Sequence, residues 1–136
     1  MPIAYETLYK EASKAQKKSY SPYSNFAVGC ALALANGTFI YGANIENASY
    51  GASICAERVA MCNHKINGPD ESQVITVAII GPSSECITPC GICRQFLREF
   101  LPLDTPFVLF NQDGSKHRVT SLEELLPDSF GPDHLH

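Results

Sequence analysis

The sequence contains no run of lysines or arginines, no block of like charge, no proline-, glycine- or serine-rich stretch and no internal repeat. The first absence weighs against a nucleic-acid partner. Basic residues number 10 against 14 acidic ones, a net charge of -4, whereas a phosphate backbone is bound by clustered positive charge. The missing linker and repeat leave nothing to divide 136 residues, so one domain over residues 1-136 with one core is expected. No apolar stretch is long enough to cross a bilayer, and the opening Met1-Pro2-Ile3-Ala4-Tyr5-Glu6 has neither the basic region nor the apolar region of a secretory leader. A cytoplasmic location without a membrane partner is therefore expected. Charged residues make up only 18% and hydrophobic ones 45%, which argues against disorder, because that much apolar material can offset the entropy of ordering.

What is present is cysteine, six in all. In a reducing compartment these are buried thiols, metal ligands or redox groups rather than structural disulfides. Spacing has to sort them.

Apolar positions at helical spacing (Tyr5, Leu8, Tyr9, Ala12, Ala15) predict an amphipathic helix that stops before Tyr20-Ser21-Pro22. Residues 27–34 and 38–43 flank Asn36-Gly37, a pair that tolerates the positive φ of a tight turn, and predict a β-hairpin. A helix is expected over residues 53–66, closed by Asn67-Gly68-Pro69, and a buried strand over 74–80. Thr88-Pro89 reads as the start of a third helix with Ile92, Phe96, Leu97 and Phe100 on its apolar face, ended by Pro102. Strands are expected at 107–110 and near 117–119, and Ser121-Leu122-Glu123-Glu124 reads as a capping box. Interspersed helices and strands predict a layered α/β domain whose sheet joins a hairpin to crossover strands.

The chemistry concentrates in Pro89-Cys90-Gly91-Ile92-Cys93. Two cysteines three apart at a helix start lie on one face and can grip one metal ion, and the positive end of the helix favours thiolate. A bare C-x-x-C is equally a buried pair or a redox dithiol. Cys55-Ala56-Glu57-Arg58 offers a third thiolate beside a carboxylate. Three protein ligands leave the fourth position of tetrahedral zinc to water, the mark of a catalytic site. By type alone Glu57 is also a common first-turn glutamate and Arg58 a surface arginine.

Together Cys55-Ala56-Glu57 and Pro89-Cys90-Gly91-Ile92-Cys93 resemble the signature of the zinc-dependent cytidine deaminases, in the branch with three cysteine ligands. Tyr20-Ser21-Pro22-Tyr23-Ser24-Asn25-Phe26, Asn44-Ile45-Glu46-Asn47-Ala48-Ser49-Tyr50 and Leu125-Leu126-Pro127 resemble that family too, so the likeness spans almost the whole chain. The resemblance implies a three-layer α/β/α sandwich with a mixed central sheet. It implies one Zn2+ per chain on Cys55, Cys90 and Cys93 and Glu57 as general acid and base; the charge of three thiolates then calls for an offset, which Arg58, adjacent to Glu57, can supply by donating to a ligand sulfur. It further implies Asn44 and Glu46 on the ribose hydroxyls, with Phe26, Ala56 and Tyr50 lining the substrate site. The expected activity is hydrolytic deamination of free cytidine and deoxycytidine in pyrimidine salvage. The expected assembly is a homotetramer with shared active sites, Phe130 closing a neighbour's pocket. Without the family, Asn44 reads equally as a turn residue, and Phe26 as a core aromatic. Cys30 and Cys62 are expected to be buried apolar thiols and Cys86 a loop thiol.

Three alternatives stand beside this reading. Cys90 and Cys93 suit a dithiol oxidoreductase, which leaves Cys55-Ala56-Glu57 unused. A non-enzymatic zinc module needs a fourth ligand, and His64, His117, His134 and His136 have no suitable spacing. A deaminase of a related nucleoside antibiotic fits the same metal motif.

Overall fold

A computed structural model describes residues 2–68 and 72–135. Along the chain run α1 (Tyr5–Gln16), β1 (Gly29–Leu34), β2 (Phe39–Ala43), α2 (Ala56–Asn67), β3 (Val74–Ile80), α3 (Gly91–Arg98), β4 (Pro106–Phe110), β5 (His117–Ser121) and α4 (Leu122–Leu125). Short 3-10 turns occupy Tyr50–Ala52 and Pro132–Leu135. The strands form one five-stranded sheet in the order β2-β1-β3-β4-β5. β1 is antiparallel to both of its neighbours, β3 and β4 are parallel, and β4 and β5 antiparallel.

The sheet is buried on both faces, which is why β1 and the end of β3 read as continuous apolar runs rather than alternating ones. Cys30, Leu32 and Leu34 of β1 point, with Val77, Ile79, Phe107 and Leu109, toward Ala56, Ala60 and Met61 of α2 and Leu97 of α3. Ala31 and Ala33 point the other way, with Ala78, Ile80 and Val108, onto Leu8 and Ala12 of α1. The result is the expected α/β/α layering around a mixed sheet.

Element ends depart from expectation for identifiable reasons. The strands of the hairpin begin at Gly29 and Phe39 rather than 27 and 38. α2 begins at Ala56, not Ser53, because Ile54 stays extended in a two-bond bridge with Ile45. α3 begins at Gly91 with Cys90 at its N-cap, not at Thr88-Pro89. The Pro89 carbonyl is taken by Arg94 Nε at 2.7 Å, so Cys90 O makes the first helical bond instead, to Arg94 N. On α3 only Leu97 of the expected apolar face is fully buried, while Ile92 is 66% exposed. Cys62 is exposed, against expectation, because the inner face of α2 is Ala56, Glu57, Ala60 and Met61. Cys30 is buried as expected, and Cys86 is half-buried against the core. Ser121 caps α4 through Glu124 N, as the capping box predicts, and Pro69 lies outside the described residues.

Candidate active site and zinc centre

β2 and β3 both run antiparallel to β1, which lies between them, so they run parallel to each other and finish at the same edge of the sheet. The chain leaves each strand by a loop and returns through a helix, so α2 and α3 start side by side at that edge. Cys55 is the N-cap of α2 and Cys90 the N-cap of α3, with Cys93 in the first turn of α3. Gly42 lets α2 sit close on β2: a Cβ there would stand 2.3 Å from Ala60 N and 2.4 Å from Ala56 O.

The three sulfurs lie within 4.8 Å of one another, Cys55 Sγ 3.7 Å from Cys90 Sγ and Cys90 Sγ 3.5 Å from Cys93 Sγ. Zinc–sulfur bonds of about 2.3 Å in a tetrahedron put sulfurs ~3.8 Å apart, so the donor set and its spacing both suit zinc. Among the described residues no His, Cys, Asp or Glu joins the three, which leaves the fourth position open and does not suit a closed structural site. His64, His117 and His134 take no part, and His136 is outside the described residues. Cys55 stands within the cluster, so Cys90 and Cys93 are not an isolated dithiol.

Electrostatics favour thiolate at one position. The neighbouring Cys93 thiol, with help from Arg58, lowers the Cys55 thiol to about 5, while the same proximity together with burial raises Cys93. Arg58 Nη2 is 3.8 Å from Cys55 Sγ, in the place expected of it. Glu57, 4% exposed, is buried beside the sulfurs; burial first, and the negative Cys55 second, push its carboxyl up to about 7. Behind it, burial and the charge of Glu57 push the Cys30 thiol well up.

An open cleft of about 400 Å3 reaches this cluster, lined by Phe26, Asn44, Glu46 and Ala56 as well as Glu57, Cys55 and Cys90. Asn44 and Glu46 are also structural. Asn44 Nδ2 donates to Phe26 O at 2.8 Å, while its Oδ1 accepts from Val28 N at 2.9 Å and Ser19 Oγ at 2.5 Å. Glu46 accepts from the backbone N–H groups of Tyr23 and Ser24, at 3.0 and 3.1 Å, and from the Ser24 hydroxyl. These contacts, the Ser24 hydroxyl foremost, hold the Glu46 carboxyl below its ordinary value. Tyr50 is not in this cleft. It is 74% exposed and stacks edge-on with Tyr23 in an adjoining hollow that shares Ser24 and Glu46. Phe130 is also outside the cleft, 56% exposed. Ser24, Val28, Ile79, Ile87 and Thr88 also line the cleft, although the sequence assigns them no role in the site. Ser24 lies within the Tyr20–Phe26 motif, which was the available signal.

Residues 3–108 match the family described as the cytidine and deoxycytidylate deaminase zinc-binding region. A cytidine deaminase of Halalkalibacterium halodurans is 42% identical over 92% of both chains, and one of Mycobacterium tuberculosis is 35% identical over 98% of this chain and 94% of its own. The crystal structure of cytidine deaminase from Burkholderia pseudomallei superposes with a TM-score of 0.85 at 41% identity, covering 94% of this chain and all of that one. With the mixed sheet, the three-cysteine cluster and the deaminase match over most of its length, the chain belongs to the cytidine deaminase family of zinc-dependent hydrolytic enzymes.

Proposed function

We propose that this chain hydrolyses free cytidine and deoxycytidine to uridine and deoxyuridine with release of ammonia, Cys55, Cys90 and Cys93 holding zinc and Glu57 moving the protons. One observation carries the reading: a carboxyl group 4% exposed lies beside three sulfurs with zinc spacing, at the inner end of an open cleft.

Bound there, zinc supplies a Lewis acid that brings the pKa of water to about 7 and so makes hydroxide available at neutral pH. Glu57 takes the proton of the attacking water and delivers it to the ring nitrogen beside the carbon under attack. It then carries a second proton to the departing amino group. Burial lifts this carboxyl above the ordinary carboxylate range, the direction that a group both accepting and donating protons requires. Arg58 offsets the surplus negative charge of three thiolates and draws electron density from Cys55. Two helix N-termini directed at the sulfurs act in the same sense.

Phe26 and Ala56 contact the base in this reading, and Asn44 and Glu46 the ribose. Glu46, kept anionic by its donors, repels a phosphate, so the nucleoside is favoured over its monophosphate. The protein acts as one domain in a homotetramer whose clefts are completed by a neighbour's Phe130, with Tyr50 a further substrate contact. The open cleft and the exposure of Phe130 outside it support that assembly. Thiol ligands need a reducing compartment, which supports a cytoplasmic role in pyrimidine salvage. The deciding assay measures ammonia from cytidine and zinc in the same sample. Zinc near one per chain with turnover of cytidine is the expected result, and zinc without turnover would overturn the reading.

A further inference from the structure

The helix that carries two of the sulfurs is engaged at its other end by the C-terminal segment. Arg98 closes α3 and is only 8% exposed, although the proposed chemistry does not use it. A guanidinium out of water must be met by acceptors, and those it finds come from one stretch of chain. Arg98 Nε donates to Ser129 Oγ at 2.8 Å and Nη2 to Asp133 Oδ1 at 2.8 Å. Between these two, Gly131 lies so close to the guanidinium that a Cβ there would stand 2.3 Å from Arg98 Cζ. One turn back on α3, Gln95 Nε2 donates to Phe130 O at 2.9 Å. The Phe130 ring stacks on His134, centroids 5.3 Å apart, and His134 Nδ1 accepts from Gly131 N at 3.0 Å. These contacts surround Phe130, yet the residue remains 56% exposed.

We infer that Arg98 is a positioning residue for Phe130: its buried guanidinium, covered by Gly131 and joined to Ser129 and Asp133, locks residues 129–133 onto α3 and holds the Phe130 ring out at one place for a neighbouring subunit's cleft. The inference rests on the reading above that Phe130 closes that cleft. It links two functions through one short helix, since the ligand Cys90 and the anchor Arg98 are separated by about 12 Å of helical rise.

Gly131→Ala tests it. Residue 131 is not among the positive-φ glycines, so alanine introduces no backbone strain and adds only a methyl group against the guanidinium. The methyl group takes the place of the guanidinium, whose shift draws it from Ser129 and Asp133. The expected result is a KM for cytidine raised roughly three- to ten-fold, the worth of one aromatic contact, with kcat little changed. Zinc content stays the same and amide exchange quickens across residues 130–135. Phe130→Ala raises KM equally, and Gly131→Ala adds nothing in the Phe130→Ala background. Arg98→Lys, which keeps the charge but loses the fork, behaves like Gly131→Ala. If Phe130→Ala raises KM while Gly131→Ala does not, or if the two effects simply add, the inference fails and the lid reading stands. If Phe130→Ala leaves KM unchanged, the lid reading fails and takes the inference with it.

Discussion

Glu57 and Glu46 are both carboxylates of one cleft, and their surroundings drive them apart. Burial lifts Glu57 to about 7, while the Ser24 hydroxyl and two backbone N–H groups hold Glu46 down. Glu57→Gln therefore keeps the shape and the sulfurs but removes the proposed proton carrier. Zinc near one per chain with turnover reduced at least ~100-fold is expected, checked by ammonia release and metal analysis, and activity above about a tenth of wild type would exclude the role. For Glu46 the sign runs the other way. A carboxyl lowered by its donors stabilises the 23–24 loop above its unfolded pKa, and the contribution is lost as pH falls through the lower folded value. KM for cytidine is expected to stay level on the acid side down to the ordinary carboxylate range. Ser24→Ala should raise KM and move its acid rise toward neutral pH, which a KM–pH profile measures. Local helix geometry made Cys90 and Cys93 legible as a pair and set Glu57 beside Cys55, while the union of all three sulfurs with Glu57 in one site was legible through the family resemblance. Ser24, Ile79 and Thr88 were not, since they meet in the cleft only through the order of the strands. Tyr50 was assigned to the substrate site by family likeness, and its own chain puts it in the hollow beyond Glu46.

At the level of elements, the starts of α2 and α3 lack a side-chain cap bond, and cysteine occupies both N-cap positions. Serine, threonine, aspartate or asparagine there would satisfy an orphan N–H; cysteine does so poorly. A metal bound by both N-caps joins two helix starts that are 35 residues apart in sequence. Chelation is thus expected to lower the melting temperature and to speed amide exchange in the first turns, residues 56–59 and 91–94, more than in β1 and β3. Equal protection with and without metal would show that these turns stand alone. Strands and helices were largely legible from periodicity, since β1 and β3 are continuous apolar runs and α1 repeats at helical spacing. Their boundaries were less so. The delayed starts of α2 and α3 depend on the Ile45–Ile54 bridge and on Arg94 taking the Pro89 carbonyl, contacts between segments that local propensity does not encode.

For the whole molecule, the proposed tetramer makes a claim about complementation. Mixed Glu57→Gln and Phe130→Ala chains, after verified subunit exchange, should yield some clefts with both groups intact and an activity above either parent. No rise would return Phe130 to its own chain or remove it from the site. The parallel placement of β2 and β3 on either side of β1 has a further consequence, in the order of assembly. Neither β–α unit holds the full ligand set: Cys55 belongs to the first, Cys90 and Cys93 to the second, and the sheet must register before they meet. Long-range pairing of this kind is slow to form compared with local helices. On refolding, helical signal should return before tight zinc uptake, and the delay should not shorten as zinc concentration rises, so that the metal is a late arrival at a finished socket rather than the template around which the chain first collapses.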